Sequence, residues 1–185
     1  GIEAANIAPL AAPSAINEVV ITVTPGPRFK FGDVRIAPLP PQTTIAEDLG
    51  PRRNAESGNI RRAVTAAILS WRELGYAKAK VVDQSIIARQ VDAKLDVDVA
   101  LDLGPRLTFG ALEVSGPRIV TDARVREIAG LPVGEVYSPA AIATAERRLR
   151  RTGTFESVSL TESDTVGPDD TLAVNAQLSD AKLRR

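Results

Sequence analysis

The chain has 185 residues, 44% hydrophobic and 25% charged, with 23 Lys plus Arg balanced by 23 Asp plus Glu. That length bounds it to one ordinary domain or two small ones, and a net charge of zero removes any global field toward nucleic acid or an anionic membrane. With no cysteine and no histidine, thiol and imidazole chemistry, disulfides and nearly every zinc or haem site are excluded.

No apolar run approaches the ~20 residues that a membrane helix needs. The chain also lacks methionine, as expected of a fragment or of a processed protein from which a signal peptide or membrane part has been removed.

In INEVVITVTPGP, Val19, Ile21 and Val23 alternate as in a strand. The phrase GPRFKFGDVRI then starts at Gly26 and returns as GPRLTFGALEV at Gly104, 78 positions later. Phe31-Gly32 and Phe109-Gly110 keep the same offset, as do Gly75 and Gly153, so the echo is a repeat register and not a coincidence. Because VTPGPRFKFG and LDLGPRLTFG share one context, residues 1–25 are read as a linker plus the remnant last strand of a preceding unit. Residues 26–103 and 104–182 are two full units, and 183–185 begin a further link.

Each unit opens on a strand, with Phe29, Phe31, Val34 and Ile36 apolar in the first copy and Leu107, Phe109, Leu112 and Val114 in the second. The parity switch at Gly32 and Gly110 predicts a bulge. After the Pro-rich APLPPQT a short helix is expected over Thr44 to Leu49. Its counterpart TDARVREIAG has a Thr/Asp cap, apolar Val125, Ile128 and Ala129, and a closing Gly130. A longer helix follows, with Ile60, Val64, Ala67, Ile68, Trp71 and Leu74 at helical spacing and Ser57 or Asn59 as its cap. In the second copy Ser138-Pro139 opens the helix carrying Ile142, Ala145 and Leu149.

Beyond the paired glycines, Tyr76 leads into AKAKVV and Phe155 into ESVSL as second strands. The last strands alternate cleanly, with Val91, Ala93, Leu95, Val97, Val99 and Leu101 on one face of VDAKLDVDVAL. Leu172, Val174, Ala176 and Leu178 do the same after the turn-rich SDTVGPDD. The fold class is α+β, in tandem β-α-α-β-β units, each a three-stranded sheet covered on one face by two helices and wet on the other.

Two surface features are candidates for binding. Lys78, Ala79, Lys80 and Val82, on a strand expected over Ala77 to Val82, either offer an edge to an incoming strand or carry lysines that merely guard it. Arg147, Arg148, Arg150 and Arg151 form either a solvated helix face or a contact for acidic turns or lipid headgroups.

Asp92, Asp96, Asp98 and Asp102 spread along the wet side of one strand and lack the loop of a calcium site. Trp71, Tyr76 and Phe155 are expected in the core. No catalytic, cofactor-binding or metal-ligating set emerges, and no phosphate loop is present, so the chain is read as a non-enzyme. The Gly-Pro joints have no spare linker residues, which predicts limited articulation between units.

The tandem GPRFKFGDVRI and GPRLTFGALEVSG openings resemble those of POTRA domains, the periplasmic polypeptide-transport-associated repeats of the BamA/TamA superfamily of outer-membrane assembly factors. So do the passages SPAAIATAERRLRRTGTFESVSL and VTAAILSWRELGYAKAKV, where LRRTGTF and WRELGY supply a Leu-x-x-x-Gly-aromatic-like signature. The aromatic stands two positions after Gly153 but one after Gly75.

Two units plus a remnant look most like the second and third POTRA domains of a TamA-like protein. The resemblance implies a scaffold on the periplasmic face of a Gram-negative outer membrane. It would bind unfolded outer-membrane client proteins by strand-edge addition and orient them toward a C-terminal β-barrel, with a TamB-like inner-membrane protein as partner. The rivals are a POTRA pair of a BamA-type or two-partner-secretion transporter and, from another class, an α+β RNA-binding repeat. Against the latter stand the neutral charge and the lack of exposed aromatic platforms, so no nucleic-acid partner is expected.

Overall fold

The computed structural model describes residues 26–41, 43, 47–116 and 119–181. The alternating strand expected around Val19 to Val23 and the terminal residues 182–185 lie outside the described residues.

The first unit runs β1 (Lys30–Ala37), α1 (Ser57–Glu73), β2 (Lys80–Arg89) and β3 (Lys94–Asp102). The second runs β4 (Thr108–Ser115), α2 (Asp122–Ala129), α3 (Pro139–Arg151), β5 (Phe155–Glu162) and β6 (Thr171–Asp180). Each forms its own three-stranded sheet, ordered β1-β3-β2 and β4-β6-β5, with the last strand in the centre. The first strand pairs parallel with the last and the second antiparallel with it. A parallel pair needs a long crossover, and the helices supply it.

The alternating apolar residues of the central strands explain the layering. Val97, Val99 and Leu101 pack with Phe31, Ile36, Ile60 and Trp71 in one core. Leu172, Val174, Ala176 and Leu178 pack with Phe109, Val125, Ile142 and Leu149 in the other. Trp71 sits edge-on to Tyr76 at 5.2 Å and donates its indole N–H to the Pro38 carbonyl at 2.9 Å, so its one polar atom is satisfied. The bulges are where the sequence placed them: the β1–β3 register shifts between Phe31 and Val34, and the β4–β6 register between Phe109 and Leu112. Glycine suits both places, because a Cβ on Gly110 would crowd the Leu172–Ala173 backbone at 3.2 Å and one on Gly32 would displace the Asp96 carboxylate.

Of the helix expected over Thr44 to Leu49, residues 44–46 lie outside the described residues and Glu47–Leu49 form a 3-10 turn, while its counterpart α2 makes two turns. Three local expectations are corrected. Neither Ser57 nor Asn59 caps α1: Glu56 holds the cap position without a side-chain bond, and the Asn59 amide instead donates to the Asp48 carbonyl. The second strand of the first unit, expected over Ala77 to Val82, begins at Lys80 and runs on through Asp83 to Arg89. The last strand begins at Lys94, so Val91 is fully exposed in the connecting turn, and Ala93 leaves strand geometry with φ of 47°.

Candidate functional site

Two places have the geometry for function: the joint between the units and the free edge of β2.

The joint starts where α1 stops. Gly75, at φ 102°, ends the helix with its amide donating to the Arg72 carbonyl, and its own carbonyl accepts from Leu107 N at 2.9 Å in the second unit. A Cβ on Gly75 would come within 2.7 Å of Val136, so the close approach of the two units demands glycine. Arg106 Nε donates to the Leu74 carbonyl at 3.0 Å. Past the glycine, Ala77 is buried in the core of the second unit and not of its own.

Around this seat lies a polar network. Arg72 of α1 pairs with Glu162 at the end of β5 and donates to the Tyr137 hydroxyl at 2.7 Å, while that hydroxyl donates to the same Glu162 carboxylate. Ser138 donates to Glu73 across the same boundary, at 3.3 Å. The Tyr137 ring is fully buried, 5.5 Å from Phe109. Burial pushes its phenol well above the usual range, the Glu162 carboxylate adds to the rise, and Arg72 only partly offsets it. Burial alone would lower the Arg72 guanidinium, but the Glu162 charge, helped by Tyr137, outweighs it and raises it.

A raised folded value means that protonated Tyr137 contributes stability fully below the unfolded tyrosine pKa of about 10, and that this contribution is lost as pH rises through the folded value. In an alkaline absorbance titration, one tyrosinate is therefore expected to appear only late and together with loss of structure. In Tyr137→Phe that late step should vanish. A wild-type chain whose tyrosines all ionise without delay would contradict the buried network.

The β2 edge differs in kind. All ten residues of Lys80–Arg89 are exposed, and among the described residues no strand pairs with its outer side. Its counterpart in the second unit differs. In the second unit Phe155 and Val158 of β5 are buried in a core that α2 and α3 help to build. In the first unit Val81, Val82, Ile86 and Ile87 are 37%, 56%, 48% and 59% exposed.

Of the residues expected on this edge, Lys80 opens the strand and Val82 occupies its bulge. Lys78 and Ala79 precede the strand: Ala79 is buried in the first core, and the Lys78 ammonium donates to the Ser163 carbonyl of the second unit. The chain is bent there to seat Ala77, so it cannot yet be extended. Ile86 and Ile87 went unnoticed because DQSIIAR, with two adjacent isoleucines, breaks strict alternation.

The arginines of α3 do not act as one patch. Arg148 donates to the Ala129 and Gly130 carbonyls at the end of α2, each at 3.2 Å, and Arg150 pairs with Glu146 and donates to Val158 O at 3.1 Å. Arg147 and Arg151 are exposed and have no such partner among the described residues.

Three aspartates of the first unit serve local structure. Asp96 accepts from Asp33 N at 2.8 Å and pairs with Arg89, Asp92 pairs with Arg89 and Lys94, and Asp102 accepts from Gly104 N. Among the described residues no group of three or more His, Cys, Asp or Glu could hold a metal ion, and no described helix is long and apolar enough to cross a membrane.

A three-stranded sheet with a central last strand, crossed by helices, is repeated in tandem along the chain. Residues 107–178 match the family model described as POTRA, surface antigen variable number repeat. That match falls within the second unit, and the first unit repeats its strand order and bulge register.

The fold is similar to the crystal structure of Haemophilus influenzae BamA POTRA3-5, with a TM-score of 0.69 at 21% identity over 82% of this chain and 61% of that one. It is also similar to BamA from Haemophilus ducreyi lacking POTRA domains 1-3, with a TM-score of 0.59 at 17% identity over 83% of this chain and 29% of that one. The chain thus spans less than two thirds of either structure. No curated protein matches it in sequence.

Proposed function

We propose that the chain is a non-enzymatic, chaperone-like scaffold on the periplasmic side of a Gram-negative outer membrane, part of a TamA-like assembly factor. It binds client or partner strands along β2 and presents them at a fixed angle toward a C-terminal barrel. The observation that carries this reading is the open β2 edge beside a joint that fixes the units. Main-chain pairing tolerates many client sequences because every strand offers the same amides and carbonyls. Unfolded outer-membrane chains are the clients, a TamB-like protein is the inner-membrane partner, and Arg147 and Arg151 are the residues free to meet acidic barrel turns or lipid headgroups.

Proline substitution tests the edge. A proline at Ala79 would be uninformative, since that amide donates to the Tyr76 carbonyl within a turn. Proline is instead placed in turn at Ile86 and Ile87, whose amides point to opposite sides of the strand. The variant that keeps its β3 ladder should fold normally and lose binding of a synthetic amphipathic strand peptide by about tenfold or more. Unchanged binding in that folded variant would refute edge addition.

A further inference from the structure

We infer that the β2 edge is self-complementary and pairs antiparallel with β2 of a second copy of this chain. The straight part of β2 lies between the bulge at Val82 and the turn that begins at Gln90, which leaves the seven residues Asp83–Arg89. Their midpoint is Ile86. In an antiparallel pair centred there, Ile86 faces Ile86 of the other copy, Asp83 faces Arg89, and the twofold axis makes that charge pair twice.

The faces agree as well. Asp83, Ser85, Ile87 and Arg89 stand opposite Ala100, Asp98, Asp96 and Lys94 of β3, on the outer face of the sheet. Ile86 stands opposite Val97, on the helix side. Pairing about Ile86 therefore sets outer-face residues against outer-face residues, with Ile87 beside Ser85, and on the helix side Ile86 against Ile86 and Gln84 against Ala88.

Both charges are ready for this contact. Asp83 is exposed and has no ion pair among the described residues. Arg89 is held on the outer face by Asp96 at 2.9 Å and Asp92 at 3.8 Å, with 44% of its side chain still exposed to meet a further carboxylate. The straight run contains no proline and no lysine that would block pairing. A small two-strand interface implies association in the micromolar range at best. This inference stands apart from client binding, although both draw on one edge and would compete for it.

The experiment is sedimentation velocity on the 185-residue chain and on charge variants whose folding is checked by circular dichroism. Wild type should dimerise with rising concentration. Asp83→Arg sets two like-charged pairs facing each other and should weaken the dimer about tenfold or more, and Arg89→Asp should do the same. The double variant Asp83→Arg/Arg89→Asp restores opposite charges and should recover the wild-type constant to within about threefold. A chain that stays monomeric into the sub-millimolar range overturns the inference, as does a dimer indifferent to the reversals or not rescued by the swap. Peptide binding that persists in such a monomer would leave the client reading intact.

Discussion

Tyr137→Ala is expected to lower stability by about 3–5 kcal/mol, and Tyr137→Phe by only about 1 kcal/mol. The first figure follows from emptying a fully buried aromatic site beside Phe109, 5.5 Å away. The second follows from removing one hydroxyl while Arg72 and Glu162 keep each other as partners. Urea unfolding of both variants measures the difference. Equal losses would mean that the hydroxyl network, rather than ring packing, dominates the site.

Ala77→Asp is the second large effect. It sets a carboxylate at a position 6% exposed within the apolar second core. An uncompensated buried charge costs about 3–5 kcal/mol, and withdrawing the segment from its seat is the way to avoid that cost. The distance distribution between the units should then broaden. Pulsed dipolar spectroscopy reads this directly, because the chain has no native cysteine and label sites can be added at will. Ala77→Gly keeps the seat apolar and should leave the distribution narrow. A narrow distribution in Ala77→Asp would show that the joint does not rest on this insertion.

What was legible in the sequence followed periodic burial. β3 and β6 alternate because they are central strands with one apolar face, and Gly32 and Gly110 declared their bulges through a parity change. The helix ends at Gly75 and Gly153 were readable because positive φ favours glycine. What was illegible depends on contacts between units. Nothing local distinguishes Arg72 from any other exposed helix arginine until Glu162 arrives from 90 residues away. Ala77 looks like a strand alanine until it is found in the wrong core. β2 was misplaced for the same reason: its exposed apolar residues obey no period, since no core selects one face over the other. The arginine run shows the converse, since a dense charge cluster in sequence divides in space into two structural side chains and two free ones.

The segment from Arg72 to Ala79 has a consequence for where this protein may be cut. The repeat draws its border at Gly104, but Arg72, Ala77 and Lys78 reach partners that lie beyond it. A piece ending at Leu103 would expose Ala77 and leave Arg72 without its counter-charge. The border of sequence duplication and the border of cooperativity therefore do not coincide. Two copies that look modular in sequence should melt as one calorimetric transition, and the first copy, whose Ala77 is seated in the other core, should borrow part of its stability from the second.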